Sequence, residues 1–263
     1  MEDLLTEEKL NDNESVPTAS PNPANLPVLE EMMRAGLFVG RRSSRTHPKM
    51  RGFISGIRNK SSLIDLEETL KMLERAMEFI KTKAAGKEGN ILLVGTAPVV
   101  KNSVEATAKR LDLPFVTERW LGGTLTNFKT LYKRITYFKK LKSDKEAGRL
   151  DKYTKKERLD IDRQIQKMTT MFSGVEKMES LPVVLFVSDV NAHLTAVREA
   201  RRLKIPIVGI MNTDTDPELV DYPILANDRS KASIDWILAR LEKTVEEGRL
   251  QAREVGEAED KKS

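Results

Sequence analysis

Cysteine is absent from this chain, and it contains only two histidines. Without cysteine there is no disulfide and no thiolate metal site, and two histidines are too few for most metal centres. No apolar run approaches the roughly 20 residues of a membrane-spanning helix. The acidic first residues also lack the basic and apolar regions of a secretory signal. We therefore expect a cytoplasmic protein that is neither exported nor bound in a membrane.

Charge is distributed unevenly along the chain, although the net charge is only +5. Residues 1–31 carry −7 and residues 242–263 carry −2, so residues 32–241 carry +14. A basic body with acidic ends is typical of a protein that binds nucleic acid. The alternative is a well-solvated surface, but such a surface normally mixes both signs.

The chain divides into five parts by composition and periodicity. Residues 1–25 are acidic and contain several prolines, which predicts a flexible extension. Residues 26–120 and 179–247 alternate short apolar runs with helical patterns, whereas residues 121–178 have the period of two long helices. Residues 248–263 form a charged tail. We predict one α/β domain in two parts, with a helical insertion between them.

Short apolar runs followed by helical patterns define the α/β domain. Ile91–Val94 is a continuous apolar run, and Pro98 stands at the start of the helical pattern behind it. Strand-like runs at 182–187 and 205–210 are also each followed by a helix. Three further helices are predicted, over residues 26–35, 65–86 and 230–245. Strands that alternate with helices predict a parallel sheet with helices on both faces.

The insertion contains two apolar stripes with spacings of three and four residues, over residues 125–141 and 161–175. The connector 143–153 is polar, and Thr154 with Glu157 matches a capping box at the start of the second helix. We predict an antiparallel coiled-coil hairpin that projects from the α/β body. Two ordinary core helices are the alternative.

The first of two acid-free stretches covers residues 32–64 and contains eight basic residues. Glycines and Pro48 interrupt regular structure, so we predict an irregular loop surface. The planar fork of arginine binds phosphate oxygens in pairs, and each phosphate contact adds salt-dependent affinity. The stretch therefore predicts an RNA-binding surface. Its candidate residues are Arg41, Arg42, Arg45, His47, Lys49, Arg51, Arg58 and Lys60.

The second acid-free stretch covers residues 119–143 and contains seven basic residues. Lysines along one helix without carboxylate partners repel one another unless a polyanion neutralises them, although a solvated face is the alternative. Trp120 either stacks on a base or anchors the hairpin root in the body, and the sequence does not decide between the two. The candidate residues are Arg119, Trp120, Lys129, Lys133 and Arg134.

An enzyme of this fold class would place its ligand at the carboxyl ends of the strands. The turn after Val94 is similar to a phosphate-binding loop, but Val100 replaces a required glycine and Asn102 follows Lys101 instead of Ser or Thr. Three carboxylates after predicted strands are weak candidates for a cation site: Asp189, Asp214 and Asp216. Capping of turns and helices is the preferred interpretation. We predict no catalytic residue, metal, cofactor or small-molecule substrate.

Several motifs occur in one order along residues 26–245. They include Gly36-Leu37-Phe38-Val39-Gly40, Pro48-Lys49-Met50, Arg58-Asn59-Lys60, Arg119-Trp120-Leu121-Gly122-Gly123, Ile205-Pro206-Ile207-Val208 and Asp214-Thr215-Asp216-Pro217. Together they closely resemble the bacterial ribosomal protein S2 family. This resemblance implies a flavodoxin-like parallel sheet with helices on both faces and an inserted coiled-coil hairpin.

The resemblance also implies a role and partners. A member of this family would be ribosome-associated in the cytoplasm, bound to small-subunit rRNA on the solvent side where head and body meet. Neighbouring ribosomal proteins, including protein S1, would be further partners. The implied role is architecture and assembly of the subunit, without catalysis.

Overall fold

The computed structural model describes residues 25–86, 90–150 and 152–260. The strands are β1 (Val39–Arg42), β2 (Ile54–Arg58), β3 (Ser61–Ile64), β4 (Ile91–Val94), β5 (Phe115–Val116), β6 (Val184–Val187), β7 (Ile207–Met211) and β8 (Tyr222–Leu225). The helices are α1 (Leu26–Arg34), α2 (Leu66–Ala84), α3 (Pro98–Arg110), α4 (Phe128–Glu146), α5 (Lys155–Phe172), α6 (Leu194–Arg202) and α7 (Lys231–Asp260). The predicted extension over residues 1–25 lies almost wholly outside the described residues.

Five strands form a parallel sheet in the order β5-β4-β6-β7-β8. The chain starts the sheet at β4, adds β5 on one side and then crosses to β6 on the other. This is the strand order of flavodoxin-like folds. The predicted α/β class and parallel sheet are confirmed. Strand β5 has only two residues, too few to produce a recognisable apolar run.

Side chains of the central strands alternate between two cores, one on each face of the sheet. Ile91 and Leu93 of β4 pack with residues of α2, α3 and α7. Leu92 and Val94, one position along, pack with residues of α4, α5 and α6. Both faces are therefore covered by helices, which explains why the strands read as continuous apolar runs.

Residues 39–64 form a second, three-stranded antiparallel sheet in the order β1-β3-β2, which we call the β-ribbon. The prediction of an irregular loop was wrong for residues 39–64, because two of the glycines that were expected to interrupt regular structure lie within strands. A Cβ on Gly40 would lie 2.6 Å from the carbonyl oxygen of Ser62, so the close approach of β1 and β3 requires glycine there. Gly56 lies at a register shift between β2 and β3.

Helices α4 and α5 pack side by side and run antiparallel. The rings of Phe138 and Phe172 lie 6.5 Å apart, while Lys145, further along α4, pairs with Asp162, further back on α5. The predicted capping box of Thr154 is present. The buried stripe consists of Leu131, Ile135, Phe138, Ile165, Met168 and Phe172. A helical hairpin is therefore present, and its coiled-coil packing stays a prediction.

Helix α7 continues to Asp260, well beyond the predicted end near residue 245. A Cβ on Gly248 would lie 2.6 Å from the carbonyl oxygen of Lys81 in α2. Lys81 also pairs with Glu247 at 3.0 Å. Gly248 thus permits a close crossing of two helices and does not end one. None of the described helices combines the length and hydrophobicity needed to span a bilayer.

Candidate nucleic-acid interface

The β-ribbon is attached to the carboxyl edge of the parallel sheet, at the loop that follows β7. The amide of Arg41 donates to Thr213 Oγ1 at 3.0 Å, and the amide of His47 donates to the carbonyl oxygen of Thr213 at 2.8 Å. A Cβ on Gly40 would also come within 2.9 Å of the Thr213 side chain. The absence of a side chain at Gly40 lets the ribbon lie directly against this loop.

Arg41 points into the protein and makes ion pairs with carboxylates from the ends of two strands. Its Nη2 donates to Asp228 Oδ2 at 2.7 Å, and its Nε donates to Asp214 Oδ2 at 3.3 Å. The Asp228 side chain is 1% exposed and also accepts from Asn212 at 3.0 Å. Burial raises the pKa of Asp228, and the nearby carboxylate of Asp189 raises it further. Arg41 supplies the positive charge that this buried carboxylate needs.

The three weak cation-site candidates have partners within the protein. Asp189 accepts from the amide of Ala192 at 2.9 Å, and Asp214 pairs with Arg41. Asp216 accepts from the amide of Glu218, which lowers the pKa of Asp216. Among the described residues, no group of three His, Cys, Asp or Glu side chains is arranged to hold a metal ion. The contacts of these carboxylates are those of turn caps and ion pairs.

Two further candidates in the ribbon are also engaged within the protein. Lys49 pairs with both Asp216 and Glu218 in the loop after β7. His47 precedes the short helical turn Pro48–Phe53, and its Nδ1 accepts from the amide of Lys49 at 3.4 Å. Arg41, His47 and Lys49 therefore hold the ribbon on the sheet in this structure.

The remaining basic residues of the ribbon face solvent. Within the described part of the chain, none of them has a carboxylate at ion-pair distance. We call this set the ribbon cations: Arg42, Arg45, Arg51, Arg58 and Lys60. Arg42 and Arg51 are close in sequence to Arg41 and Lys49, whose ion pairs attach the ribbon to the sheet, so paired and unpaired cations occur in the same element.

The root of the hairpin is held by one buried carboxylate, that of Glu199 in α6. It accepts hydrogen bonds from the amides of Gly123, Leu125 and Thr126 at 2.8, 3.0 and 3.1 Å. Trp120 Nε1 donates to it at 3.1 Å, and the Thr126 hydroxyl donates at 3.2 Å. Burial alone would raise the pKa of Glu199, but these hydrogen bonds outweigh burial and lower it.

Trp120 is thus tied to the body by its indole nitrogen and packs against the core that contains the hairpin. These contacts correspond to the alternative in which Trp120 anchors the hairpin root in the body. Glu199 itself was missed at the level of sequence. Its signal is an acid on the apolar stripe of α6, between Val197 and Ala200, both of which are buried. An acid at such a position indicates a set of donors brought to it by another part of the chain.

Helix α4 displays basic residues on its exposed side. Lys142 and Lys145 have partners on or near α5, namely Glu176 at 3.9 Å and Asp162 at 2.8 Å. The others, together with Arg119 at the root, have no ion-pair partner among the described residues. We call them the hairpin cations: Arg119, Lys129, Lys133, Arg134, Lys139 and Lys140.

The turn after β4, where a nucleotide-binding protein would hold phosphate, is occupied by internal contacts. Lys101 pairs with Glu118. The buried imidazole of His193 lies 3.0 Å from the Thr96 hydroxyl and 2.7 Å from the carbonyl oxygen of Asp189. The contacts of His193 join the loops after β4 and β6. Lys101 is directed at the carboxylate of Glu118.

A family model described as Ribosomal protein S2 matches residues 32–248. The chain belongs to the ribosomal protein S2 family. A relative from Sorangium cellulosum, named small ribosomal subunit protein uS2, is 37% identical over 239 residues, covering 90% of this chain and 86% of the relative. Proteins of the same name from Coprothermobacter proteolyticus and Bifidobacterium adolescentis are 38% and 40% identical, over 84% and 88% of this chain and 82% and 87% of theirs.

Membership of the S2 family confirms the resemblance seen in the sequence motifs. It identifies a ribosomal protein and not an enzyme. The matched region begins at Met32 and ends at Gly248. It therefore contains the β-ribbon, the parallel sheet and the hairpin, which together carry every candidate residue described above.

Proposed function

We propose that this protein is a structural component of the small ribosomal subunit and binds rRNA through the ribbon cations and the hairpin cations. The observation that carries the proposal is that these two exposed basic sets lack carboxylate partners within the described residues. Unpaired charges of one sign repel one another, and a polyanion removes that repulsion and releases its own counterions. Folded RNA supplies such a polyanion.

The two basic sets belong to elements that pack on the same face of the sheet. Met50 and Ile64 of the ribbon region lie in the same core cluster as Leu131 and Ile135 of the hairpin. This arrangement supports one RNA-binding region formed by both elements. Arg41, Lys49 and Trp120 then act by positioning the ribbon and the hairpin, because their polar groups are already bound within the protein.

Placement within the ribosome follows from the family resemblance alone. On that basis we propose that the protein is ribosome-associated in the cytoplasm, on the solvent side where the head and body of the small subunit meet. It would contact neighbouring ribosomal proteins there, including S1. Exposed apolar side chains support a protein contact next to the RNA contact: Ile57 in β2 is 65% exposed and Val39 in β1 is 38% exposed.

Reversing the charge of Arg42, Arg45 and Arg58 together to glutamate tests the rRNA contact. Each lost phosphate contact lowers affinity by about tenfold near 0.1 M salt, so we expect a loss of two to three orders of magnitude. The measurement is co-sedimentation with small subunits depleted of this protein, repeated over a range of salt concentrations. The variant should also show a shallower dependence of binding on salt.

The matched control reverses three exposed cations on the helices of the opposite face, Arg75, Lys243 and Arg253. Its change in net charge is the same, and we expect it to bind depleted subunits almost as the wild type does. Equal losses in both triple variants would mean that total charge, and not the β-ribbon, determines association. Wild-type binding by the ribbon variant would refute the rRNA contact.

Lys60 offers a test that separates stability from binding. Asn59 and Lys60 form the turn between β2 and β3 with φ of 50° and 63°, a conformation in which glycine is favoured at the second position. Lys60→Gly should raise the free energy of unfolding by about 1 kcal/mol, since it relieves backbone strain. It should also weaken subunit binding and reduce the salt slope by about one, because one phosphate contact is lost.

Chemical denaturation and subunit binding measure the two effects of Lys60→Gly separately. Lys60→Arg is the control, since it keeps both the charge and the backbone strain and should leave both quantities unchanged. A stabilised glycine variant with an unchanged salt slope would show that Lys60 does not contact phosphate.

A further inference from the structure

A cavity of about 360 Å³ opens at the amino edge of the parallel sheet. It lies where β7 and β8 begin, at Ile207 and Tyr222, whereas the β-ribbon is attached beyond their carboxyl ends. Its wall includes Phe79, Tyr222, Arg201, Lys204 and Asp221. The cavity is therefore separate from the RNA-binding region proposed above and contains a different combination of side chains.

An aromatic pair forms one wall of this cavity. The rings of Phe79 and Tyr222 are stacked, with centroids 4.1 Å apart and planes inclined by 16°. Both residues are only partly buried. The ammonium group of Lys83 lies 5.5 Å from the centre of the Phe79 ring. Because Tyr222 stacks on Phe79 and Lys83 lies over the same Phe79 ring, Tyr222 is the member of the pair left to stack on another flat ring.

The cavity also has a basic side, which is formed by two exposed cations at the end of α6. Within the described residues, neither Arg201 nor Lys204 has a carboxylate at ion-pair distance. Asp221 shares the cavity, but its Oδ2 accepts from the amide of Ile207 at 2.9 Å. The carboxylate is thus held by the backbone, and the two cations stay available to an anionic group.

The backbone at Lys204 is in the left-handed conformation, which is strained for a residue with a side chain. Lys204 has φ of 56° and directly follows the C-cap residue Leu203, a position where glycine is usual. The amide of Ile205 donates to the carbonyl oxygen of Ala200 at 3.0 Å and closes the helix end. Glycine would complete this turn at lower cost, so turn geometry does not explain a lysine beside the cavity.

We propose that this cavity binds one unpaired nucleotide of single-stranded RNA. The base lies against the Phe79–Tyr222 pair, and the phosphate binds Arg201 and Lys204. Aromatic surfaces next to basic side chains bind single strands in this way, because every base has a face to stack. The inference extends the proposed RNA-binding role to a second surface. An acidic peptide would use the cations but would gain little from the aromatic pair, so it is the competing outcome.

The test measures binding of a fluorescein-labelled oligoadenylate RNA of about ten nucleotides to the full chain by fluorescence anisotropy. All variants are made in the background of the ribbon triple variant, so that the ribbon does not mask the cavity. The double change Arg201→Glu and Lys204→Glu should weaken binding at least about tenfold and reduce the salt slope. The matched control, Arg198→Glu with Arg202→Glu, changes two exposed cations of the same helix that do not line the cavity. It should lose less than about threefold.

The aromatic contribution is tested at Tyr222. Tyr222→Leu should weaken binding about fivefold to a hundredfold, which is the usual range for loss of one stacked base. Tyr222→Phe keeps the ring and should bind as the parent does. Circular dichroism checks folding. Should the leucine variant fail to fold, Lys204→Gly provides the second test, with a raised melting temperature and weaker binding expected together.

Equal binding by the cavity and control double variants would overturn the proposal. So would a folded Tyr222→Leu variant with parental affinity. Efficient competition by oligoglutamate, insensitive to Tyr222→Leu, would assign the cavity to an acidic protein segment instead. The ribosomal role is tested by subunit co-sedimentation of the ribbon variant, and this cavity by oligonucleotide binding, so either can fail without the other.

Discussion

Replacing Glu199 by alanine is expected to lower the free energy of unfolding by about 3–4 kcal/mol. The carboxylate accepts from three amides, one indole and one hydroxyl at the hairpin root. Alanine would leave these donors without their acceptor in a largely buried place, and each unsatisfied buried donor costs about 1–3 kcal/mol unless water reaches it. Chemical denaturation followed by tryptophan fluorescence measures the loss, since Trp120 reports on the same site.

Glu199→Gln is the graded control. Glutamine keeps one acceptor oxygen but turns an NH2 group towards backbone amides, so its loss should fall between those of wild type and Glu199→Ala. The root would also loosen, so subunit binding should weaken even though the substitution removes a negative charge, which by itself would not weaken binding to RNA. A folded Glu199→Ala variant with wild-type stability would mean that the loop 120–127 has other sufficient contacts.

The same carboxylate makes stability depend on pH. Its pKa is lowered in the folded protein, so its contribution is complete above the ordinary carboxyl pKa and is lost as pH falls through the folded value. Wild-type stability should therefore decline in acid more steeply than that of Glu199→Gln. Parallel curves for the two proteins would show that other carboxylates cause the acid sensitivity.

Replacing Arg41 by methionine is expected to cost about 3–5 kcal/mol, the usual effect of removing one partner from a buried ion pair. Asp228, whose side chain is 1% exposed, would lose its counter-charge while Asp189 and Asp214 still repel it. The β-ribbon would also lose part of its attachment to the sheet. Denaturant titration gives the stability, and protease cleavage within residues 39–64 reports on loosening of the ribbon.

Asp228→Asn and the double variant with Arg41→Met complete the cycle. Because the double variant leaves no uncompensated charge at Asp228, it should be more stable than the sum of the single losses predicts, by about 1–3 kcal/mol. Additive losses would show that Arg41 and Asp228 act independently. The pKa of Asp228 is raised by burial, so folding favours its neutral form. Arg41→Met should accordingly be more destabilised at neutral pH than in mild acid.

Much of the fold is predictable from the sequence because the parallel strands are buried on both faces. Ile91–Val94 forms an apolar run between turn residues, and such a run in front of a helical pattern predicts a buried parallel strand. Local signals also placed the start of α5, since Thr154 and Glu157 form their capping box within four residues. These features depend on neighbours in sequence.

The features that were missed or mispredicted depend on neighbours in space. Gly40 was interpreted as a break in regular structure, yet it permits the close approach of β1 to the carbonyl oxygen of Ser62 in β3. The ion pairs of Arg41, which was predicted to bind RNA, have no local signal in the sequence, because the partners Asp214 and Asp228 are 173 and 187 residues away. The sign of a residue's charge is visible in the sequence, but whether that charge is already neutralised depends on the tertiary fold.

In many folds with this strand order, a small molecule occupies the crevice where the direction of strand addition reverses, which here lies between β4 and β6. Here His193 bridges the two loops at that point, and Lys101 is directed at Glu118. Structural contacts therefore fill the crevice in which such folds commonly bind a ligand. The exposed cations without ion-pair partners on the β-ribbon and the hairpin lie outside this crevice, so the RNA contact proposed above would not use the ligand position of the parent fold.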